Sequence, residues 1–235
     1  MAPKGYRWFD FFVALFVTSL IISNIIAVKL VVIGPWVLPV AVILFPIAYI
    51  VGDVLTEVYG YARARRVIWL GFFANLLAVV AIWVGGRLPP APFWTLGVYA
   101  TPQEAQQAYD ALLGFTPRLL LASFIAYLVG EFLNAYVLAR LKLKTRGRFL
   151  WVRTIGSTLV GQGADSLVFL SIAFWGILPP AALAQAILSQ WTFKVLYETL
   201  ATPVTYWVVN RLKQAEGVDV YDWETDFRPW KLREA

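Results

Sequence analysis

Neither cysteine nor histidine occurs in the 235 residues. That excludes disulfides, thiolate and imidazole metal sites, haem attachment, cysteine nucleophiles and every histidine-based catalytic dyad or triad. Charge is also scarce, at 14% of residues against roughly 25% in a soluble globular chain. What fills the chain instead is apolar: 60% of residues are hydrophobic and the mean hydropathy is +0.68. An integral membrane protein follows, with most enzyme chemistry out of reach. The expectation is a non-enzyme with no catalytic residue, no metal and no cofactor.

A bilayer core requires about 20 consecutive apolar residues per helix. Six runs meet that need, at about 8–32, 38–57, 66–86, 117–140, 150–176 and 183–211. Lipid offers the backbone no hydrogen-bond partners, and the runs are far too long for barrel strands, so an all-α fold of six transmembrane helices is expected. The first run passes 15 residues without an A-x-A-like cleavage site and reads as a retained helix.

Orientation follows from the basic residues. Arg63, Arg65 and Arg66 lie between the second and third runs, and Arg140, Lys142, Lys144, Arg146 and Arg148 between the fourth and fifth. Lys4 and Arg7 precede the first. The opposite connections carry no comparable excess, so both termini are expected in the cytoplasm. The net charge of +6 is then topology and contact with anionic lipid, not a nucleic-acid footprint. Association into a homo-oligomer is left open.

Two segments are not spans. Residues 87–116 read as a Pro-rich turn followed by a short amphipathic helix at the outer surface, begun at Thr101 with Glu104 as its capping partner. Residues 213–235, "KQAEGVDVYDWETDFRPWKLREA", read as a cytoplasmic C-terminal tail partly ordered at the headgroups, and residues 1–212 as the transmembrane transporter domain.

The information lies in the polar residues within the runs. An ionised side chain near mid-bilayer costs roughly 2.5–3.5 kcal/mol on insertion scales, so such groups usually face one another or a wet cavity. The first run carries Ser23, Asn24 and Lys29, the second Asp53, Thr56 and Glu57, the third Asn75. In the fourth, Ser123, Tyr127, Glu131 and Asn134 share one helical face. Thr158, Gln162, Asp165 and Phe169 do so in the fifth, and the sixth presents Trp191, Lys194 and Glu198. By depth, Glu131, Gln162, Asp165, Lys194 and Asn75 fall near the middle, with Asn24 somewhat outward and Asp53 somewhat inward. Glu57, Arg118 and Arg153 lie near the boundaries, where snorkelling or ion pairing is the ordinary role. For Glu57 the choice is between Arg63 or Arg65 as ion-pair partner and ligand contact. Asp53 is expected to serve the cavity or to anchor its helix against Lys194 or the stripe of the fifth run. For Glu131, Asp165 and Lys194 the competing reading is a buried ion pair that fixes packing, and for Asn75 a helix–helix hydrogen bond.

Carboxylates, carboxamides, one ammonium and several aromatics together suit a flat polar heterocycle. A carboxylate accepts from adjacent N–H groups, an amide or lysine donates to a carbonyl, and Trp or Phe stacks on the ring. The candidate substrate-binding set is Asn24, Asp53, Tyr127, Glu131, Asn134, Gln162, Asp165, Phe169, Trp191 and Lys194. No carboxylate cluster of the Ca²⁺ type and no carbonyl filter sequence is visible.

The segments "ISNIIAVK", "FPIAYIVGDVLTEVYGYARARRVIW", "TPRLLLASFIAYLVGEFLN", "LWVRTIGSTLVGQGADSLVF" and "FKVLYETLATPVTY" closely resemble, in order, the queuosine precursor transporter family, formerly grouped as vitamin uptake transporters. The resemblance runs from about Ser23 to Lys213. It implies a bacterial inner-membrane importer of 7-cyano-7-deazaguanine or its 7-aminomethyl relative, salvaged for tRNA queuosine. It also implies a six-helix fold related to the substrate-binding subunits of energy-coupling-factor transporters, working without the ATPase module. Position by position, the family pattern marks Ser23, Asn24, Asp53, Thr56, Arg65, Arg118, Ser123, Arg153, Ser157, Thr158, Asp165 and Lys194. The chain departs from that pattern at Glu131 and Asn134, which exchanges the acid and amide positions, and at Gly163 and Ala164. Three other readings compete. One is an energy-coupling-factor subunit, which would need an ATPase partner. Another is an intramembrane aspartyl protease using Asp53 and Asp165, for which "GQGAD" is not the expected G-x-G-D. The third is a purely structural membrane protein, which would not need the aligned acid and amide stripes of the fourth and fifth runs.

Overall fold

The computed structural model describes residues 6–33, 36–114 and 117–231; Lys4, one of the cations used for orientation, lies outside them. The described residues form helices α1 (Phe9–Ile26), α2 (Phe45–Tyr59), α3 (Tyr61–Arg87), α4 (Pro102–Leu113), α5 (Pro117–Thr145), α6 (Leu150–Phe174) and α7 (Pro180–Glu216). An antiparallel hairpin, β1 (Leu30–Ile33) with β2 (Trp36–Pro39), and a 3₁₀ turn at Val40–Ile43 join α1 to α2.

The fold is helical as expected, but its first connection is not. The sequence reading carried helix through 32 and resumed it at 38, whereas α1 stops at Ile26 and α2 starts at Phe45. The β-branched run "VKLVVIGPWVLPV" favours extended backbone, and its Gly-Pro pair favours a turn over continued helix. Among the described residues, four helical stretches are long and apolar enough to cross a membrane: α1, α3, a window within Pro102–Thr145, and α6. At 15 residues, α2 is about 22 Å long, short of the roughly 30 Å hydrocarbon core. The longest helix, α7, has 37 residues and contains Pro203.

Exposed apolar residues mark the lipid side. On α3, Leu70, Phe73, Leu77, Val80 and Val84 are all exposed at spacings of 3 and 4, one continuous stripe that in water would be an aggregation surface. The opposite face of α3, with Ala64, Val67, Ile68 and Gly71, is buried. Helix α2 has the least exposure: ten of its residues from Pro46 to Tyr59 are buried, because α1, α3, α5 and α7 all pack on it.

Close approach of α5 and α6 depends on two glycines. A Cβ at Gly130 would lie 2.8 Å from Cβ of Asp165, and one at Gly161 only 2.6 Å from Cβ of Asn134. Small residues let helix backbones approach where lipid supplies no hydrophobic drive. At the outer end, α4 begins as its sequence predicts: the Glu104 amide donates to Thr101 Oγ1 at 3.2 Å, and the Glu104 carboxylate accepts from the Ala100 amide. Tyr109 Oη donates to the Ile82 carbonyl and seats α4 on the end of α3.

The C-terminal segment is no loose appendage. Glu216 accepts from the amides of Arg7 and Trp8 at 3.0 and 2.6 Å and so caps α1. Helix α3 starts immediately after Gly60, a residue at φ +84° with no side chain to cap it. Asp222 does so from the tail, both carboxylate oxygens accepting from the Tyr61 amide at 3.1 Å. The Val220 amide donates to Val58 at the end of α2, and Arg65 and Trp69 donate to tail carbonyls. Within the tail, hydrogen bonds from Arg228 hold Asp226 well below the usual carboxylate range. Asp222→Ala is expected to cost about 1–2 kcal/mol, the usual value of a strong N-cap, read as a lowered unfolding midpoint in detergent. Asp222→Asn, which still accepts, is expected to retain most of it.

Candidate functional site

Tyr49, Asp53 and Glu57 follow one another by one helical turn on α2, so they lie on one face. That face meets α5 and α7, which present their own polar residues in register. Three levels result, running from the Tyr49 end of α2 to its Glu57 end.

At the first level Lys194 of α7 forms an ion pair with Asp165 of α6, and its Nζ lies 5.9 Å from the Tyr49 ring. Glu131 of α5 lies within electrostatic reach of both charges, its carboxylate over Gly52, where a Cβ would come within 3.5 Å of Oε2. The paired side chains retain 13% and 21% exposure, so this pair is wetter than the levels below it. Trp191, one turn before Lys194, donates to the Leu159 carbonyl at 3.0 Å and lies 3.1 Å from where a Cβ on Gly163 would stand.

At the second level Asn134 Nδ2 donates to Asp53 Oδ1 at 2.7 Å. Asp53 therefore meets α5, not Lys194 or the α6 stripe as the sequence suggested, because Lys194 is held one turn outward by Asp165. Glu198, one turn from Lys194 on α7, is 1% exposed and lies within electrostatic reach of Asp53. Asp53 Oδ2, Asn134 Oδ1, both Glu198 oxygens, Gln162 Oε1 and Ser166 Oγ are buried without a hydrogen-bond partner. Most buried polar atoms are paired, so a cluster of orphans asks for an explanation.

The third level is an ionic knot. Glu57 is fully buried and accepts from Arg153 Nε and Nη2 at 3.0 and 2.8 Å and from Lys213 at 2.7 Å. Lys142 donates to the Glu57 carbonyl and the Val220 carbonyl, and reaches Asp219. Asp219 is held below the usual carboxylate range: burial pushes it up, but hydrogen bonds from Lys142 and Lys213 outweigh that. The sequence leaves Glu57 between ligand contact and an ion pair with Arg63 or Arg65; its ion-pair partners are Arg153, Lys213 and Lys142 instead. Arg63 and Arg65 lie beyond the break at Gly60, where Arg63 stacks on Tyr6 and Arg65 turns to the tail. Glu57 faces the other way, towards α6 and α7.

Of the remaining candidates, Asn24 donates to Asn75 at 3.1 Å and ties α1 to α3, the helix–helix role foreseen for Asn75. Tyr127 donates to the Ile68 carbonyl at 2.9 Å and ties α5 to α3. Phe169 is half-buried on α6, one turn beyond Asp165. Asp53, Glu131, Asn134, Gln162, Asp165 and Lys194 thus belong to the layered core, while Asn24 and Tyr127 are engaged in helix pairing. Sequence reasoning passed over Tyr49 and Ser166 and left Glu198 off its candidate set. Tyr49 and Glu198 carried a signal, each lying one turn from a residue already chosen. A void of about 10 Å³ beside Gly52, Glu131 and Asn134 has room for about one water. The bundle is closed here.

A family profile described as "Putative vitamin uptake transporter" matches residues 39–208. "Probable queuosine precursor transporter" of Bacillus subtilis is 32% identical over 155 residues, 66% of this chain and 64% of that protein. "Queuosine precursor transporter" of Escherichia coli is 30% identical over 159 residues, 65% of this chain and 63% of that protein. The chain thus spans just under two thirds of the length of these relatives. No solved structure matches it. Apolar helical stretches and bacterial relatives named as transporters fit a multi-pass inner-membrane protein. The profile covers most of the bundle, from β2 to the cytoplasmic half of α7, and the chain belongs to the putative vitamin uptake transporter family.

Proposed function

We propose that this protein imports queuosine precursors, 7-cyano-7-deazaguanine or 7-aminomethyl-7-deazaguanine, across the bacterial inner membrane. The observation that carries the proposal is the layer at the Lys194–Asp165 ion pair, where Glu131 lies within electrostatic reach and Gln162 Oε1, one turn from Asp165, is buried without a partner. A deazaguanine presents adjacent N–H donors on its pyrimidine edge and one carbonyl acceptor, the complement of such a layer. Asp165, Gln162 and Glu131 read the donors, Lys194 answers the carbonyl, and Trp191 and Phe169 lie within a turn of that level to stack on the ring. The names of the relatives point to the same substrate class.

Calorimetry of the purified protein against the two deazaguanines, guanine, adenine and queuine tests this reading. Binding is expected for the deazaguanines and not for adenine, whose edge places an acceptor where the site lacks donors. Equal affinity for adenine, or no affinity for any deazaguanine, would overturn it.

The transporter domain is read as six spans with both termini in the cytoplasm, α2 completed at its outer end by the 3₁₀ turn and the hairpin. The chain lacks cysteine, so single cysteines report sidedness without background. Gly147 is a poor position, because a Cβ there would come within 2.1 Å of the Tyr221 hydroxyl. Lys144→Cys and Ile177→Cys, both at exposed positions, are expected to react with an impermeant maleimide from opposite sides of the membrane. Labelling of both from outside would reject this topology.

A further inference from the structure

Asp53 and Glu198 are each 1% exposed, and neither has a cationic partner among the described residues. Every basic residue that could serve them is committed. Lys194 pairs with Asp165, and Arg153, Lys142 and Lys213 converge on Glu57 and Asp219. The remaining charges acting on Asp53 are Glu131 from α5 and Glu57 from its own helix, both acidic. Its neutral neighbours offer one donor, the Asn134 amide, already spent on Oδ1. Two buried carboxylates within electrostatic reach of each other and without a counter-ion are too costly to persist as charges in a membrane interior.

The hydrogen-bond inventory points the same way. Asp53 Oδ2, Asn134 Oδ1, Glu198 Oε1 and Glu198 Oε2 are all acceptors, and all lack a donor. Asn134 is 7% exposed, so its orphaned oxygen is a second buried group left waiting for a donor beside the acids. A proton on either carboxyl removes one charge and turns an acceptor into a donor. One proton thus answers both deficits.

We infer that Asp53 and Glu198, with Asn134, form a proton-binding site that couples import to proton entry. The site lies one turn inward of the Lys194–Asp165 level, between the proposed substrate layer and the cytoplasmic knot. The proton is released when the cytoplasmic ends of α2 and α7 separate and water reaches the pair. The coupling half of this inference rests on the transport reading above; the proton site itself does not.

Dicyclohexylcarbodiimide reacts with protonated carboxyls in apolar surroundings, and it tests the site on the intact protein without any substrate. Mass spectrometry is expected to find the adduct on Glu198 or Asp53. Its yield should fall about tenfold for each pH unit above the site's midpoint, as the protonated fraction does. No adduct at either residue between pH 6 and 9, or an adduct suppressed by sodium and indifferent to pH, would overturn the inference, the latter in favour of a metal cation. In proteoliposomes an inward proton gradient is expected to accelerate deazaguanine uptake by the parent protein. Glu198→Gln and Glu198→Asp separate lost coupling from lost folding: the gradient effect should vanish in the first and survive in part in the second. Uptake by the parent that ignores the gradient would also overturn the inference. Should no deazaguanine bind, the substrate reading falls while the adduct result still decides the proton site.

Discussion

Glu57→Ala is expected to be among the most destabilising single substitutions in the molecule, costing about 3–5 kcal/mol. Its carboxylate is fully buried and takes a bidentate fork from Arg153, itself 1% exposed, and a third bond from Lys213. Removing it leaves a guanidinium inside the protein with no counter-charge, retaining only its bonds to Thr145 Oγ1 and the Arg148 carbonyl. The loss falls on four elements together, because the knot joins α2, α5, α6 and α7. Chemical unfolding in a mild detergent, followed by tryptophan fluorescence, reads the effect. The pair Glu57→Ala with Arg153→Met is expected to recover part of the loss, since an apolar replacement of a buried ion pair is often tolerated. A Glu57→Ala protein as stable as the parent would mean that the cytoplasmic ends are held by packing alone.

Lys194→Ala is expected to lower uptake by about 10- to 150-fold, the range set by losing roughly 1.5–3 kcal/mol of a charged hydrogen bond. Lys194 pairs with Asp165 and lies near Tyr49, and Glu131 shares its field. Without the ammonium, two acids at one level face each other and the proposed donor to the substrate carbonyl is gone. Partial exposure of the pair makes stability less sensitive here than at Glu57, so the two variants should separate: Glu57→Ala fails in unfolding assays, Lys194→Ala in initial rates of uptake. Lys194→Arg keeps the charge but not the compact ammonium, and intermediate rates are expected. Parental rates in Lys194→Ala would remove this residue from the site.

Local signals carried far in the sequence. The capping box at Thr101 and Glu104 placed the start of α4 to the residue, and helical spacing aligned Glu131 with Asn134 and Gln162 with Asp165. Depth counting brought Asp165 and Lys194 to one level, where they meet. What failed was partner choice over long separations. Ion pairing of Glu57 pointed to the arginines six and eight residues on, because nothing local says that Gly60 turns the chain and that Arg153, 96 residues away, faces the carboxylate. Lys142 counts in the sequence among the orientation cations between the fourth and fifth runs, yet it lies inside α5, is 1% exposed and donates to tail and helix carbonyls. The hairpin was legible in the β-branched residues on either side of a Gly-Pro pair, but the apolar run hid it. The tail's role was not legible, because an aspartate capping a helix that begins 161 residues earlier leaves no mark in its own neighbourhood.

That cap has a bearing on how the protein is made. The tail is translated after α7, so the amide end of α3 and the carbonyl end of α2 enter the bilayer long before Asp222 and Val220 exist to satisfy them. During synthesis those groups must be held by water at the membrane surface, with Arg65 and the uncapped turn kept there as well. The bundle is sealed at this end by a stretch that leaves the ribosome after all seven helices, so α2 and α3 reach their final register late, as an act of assembly rather than of insertion.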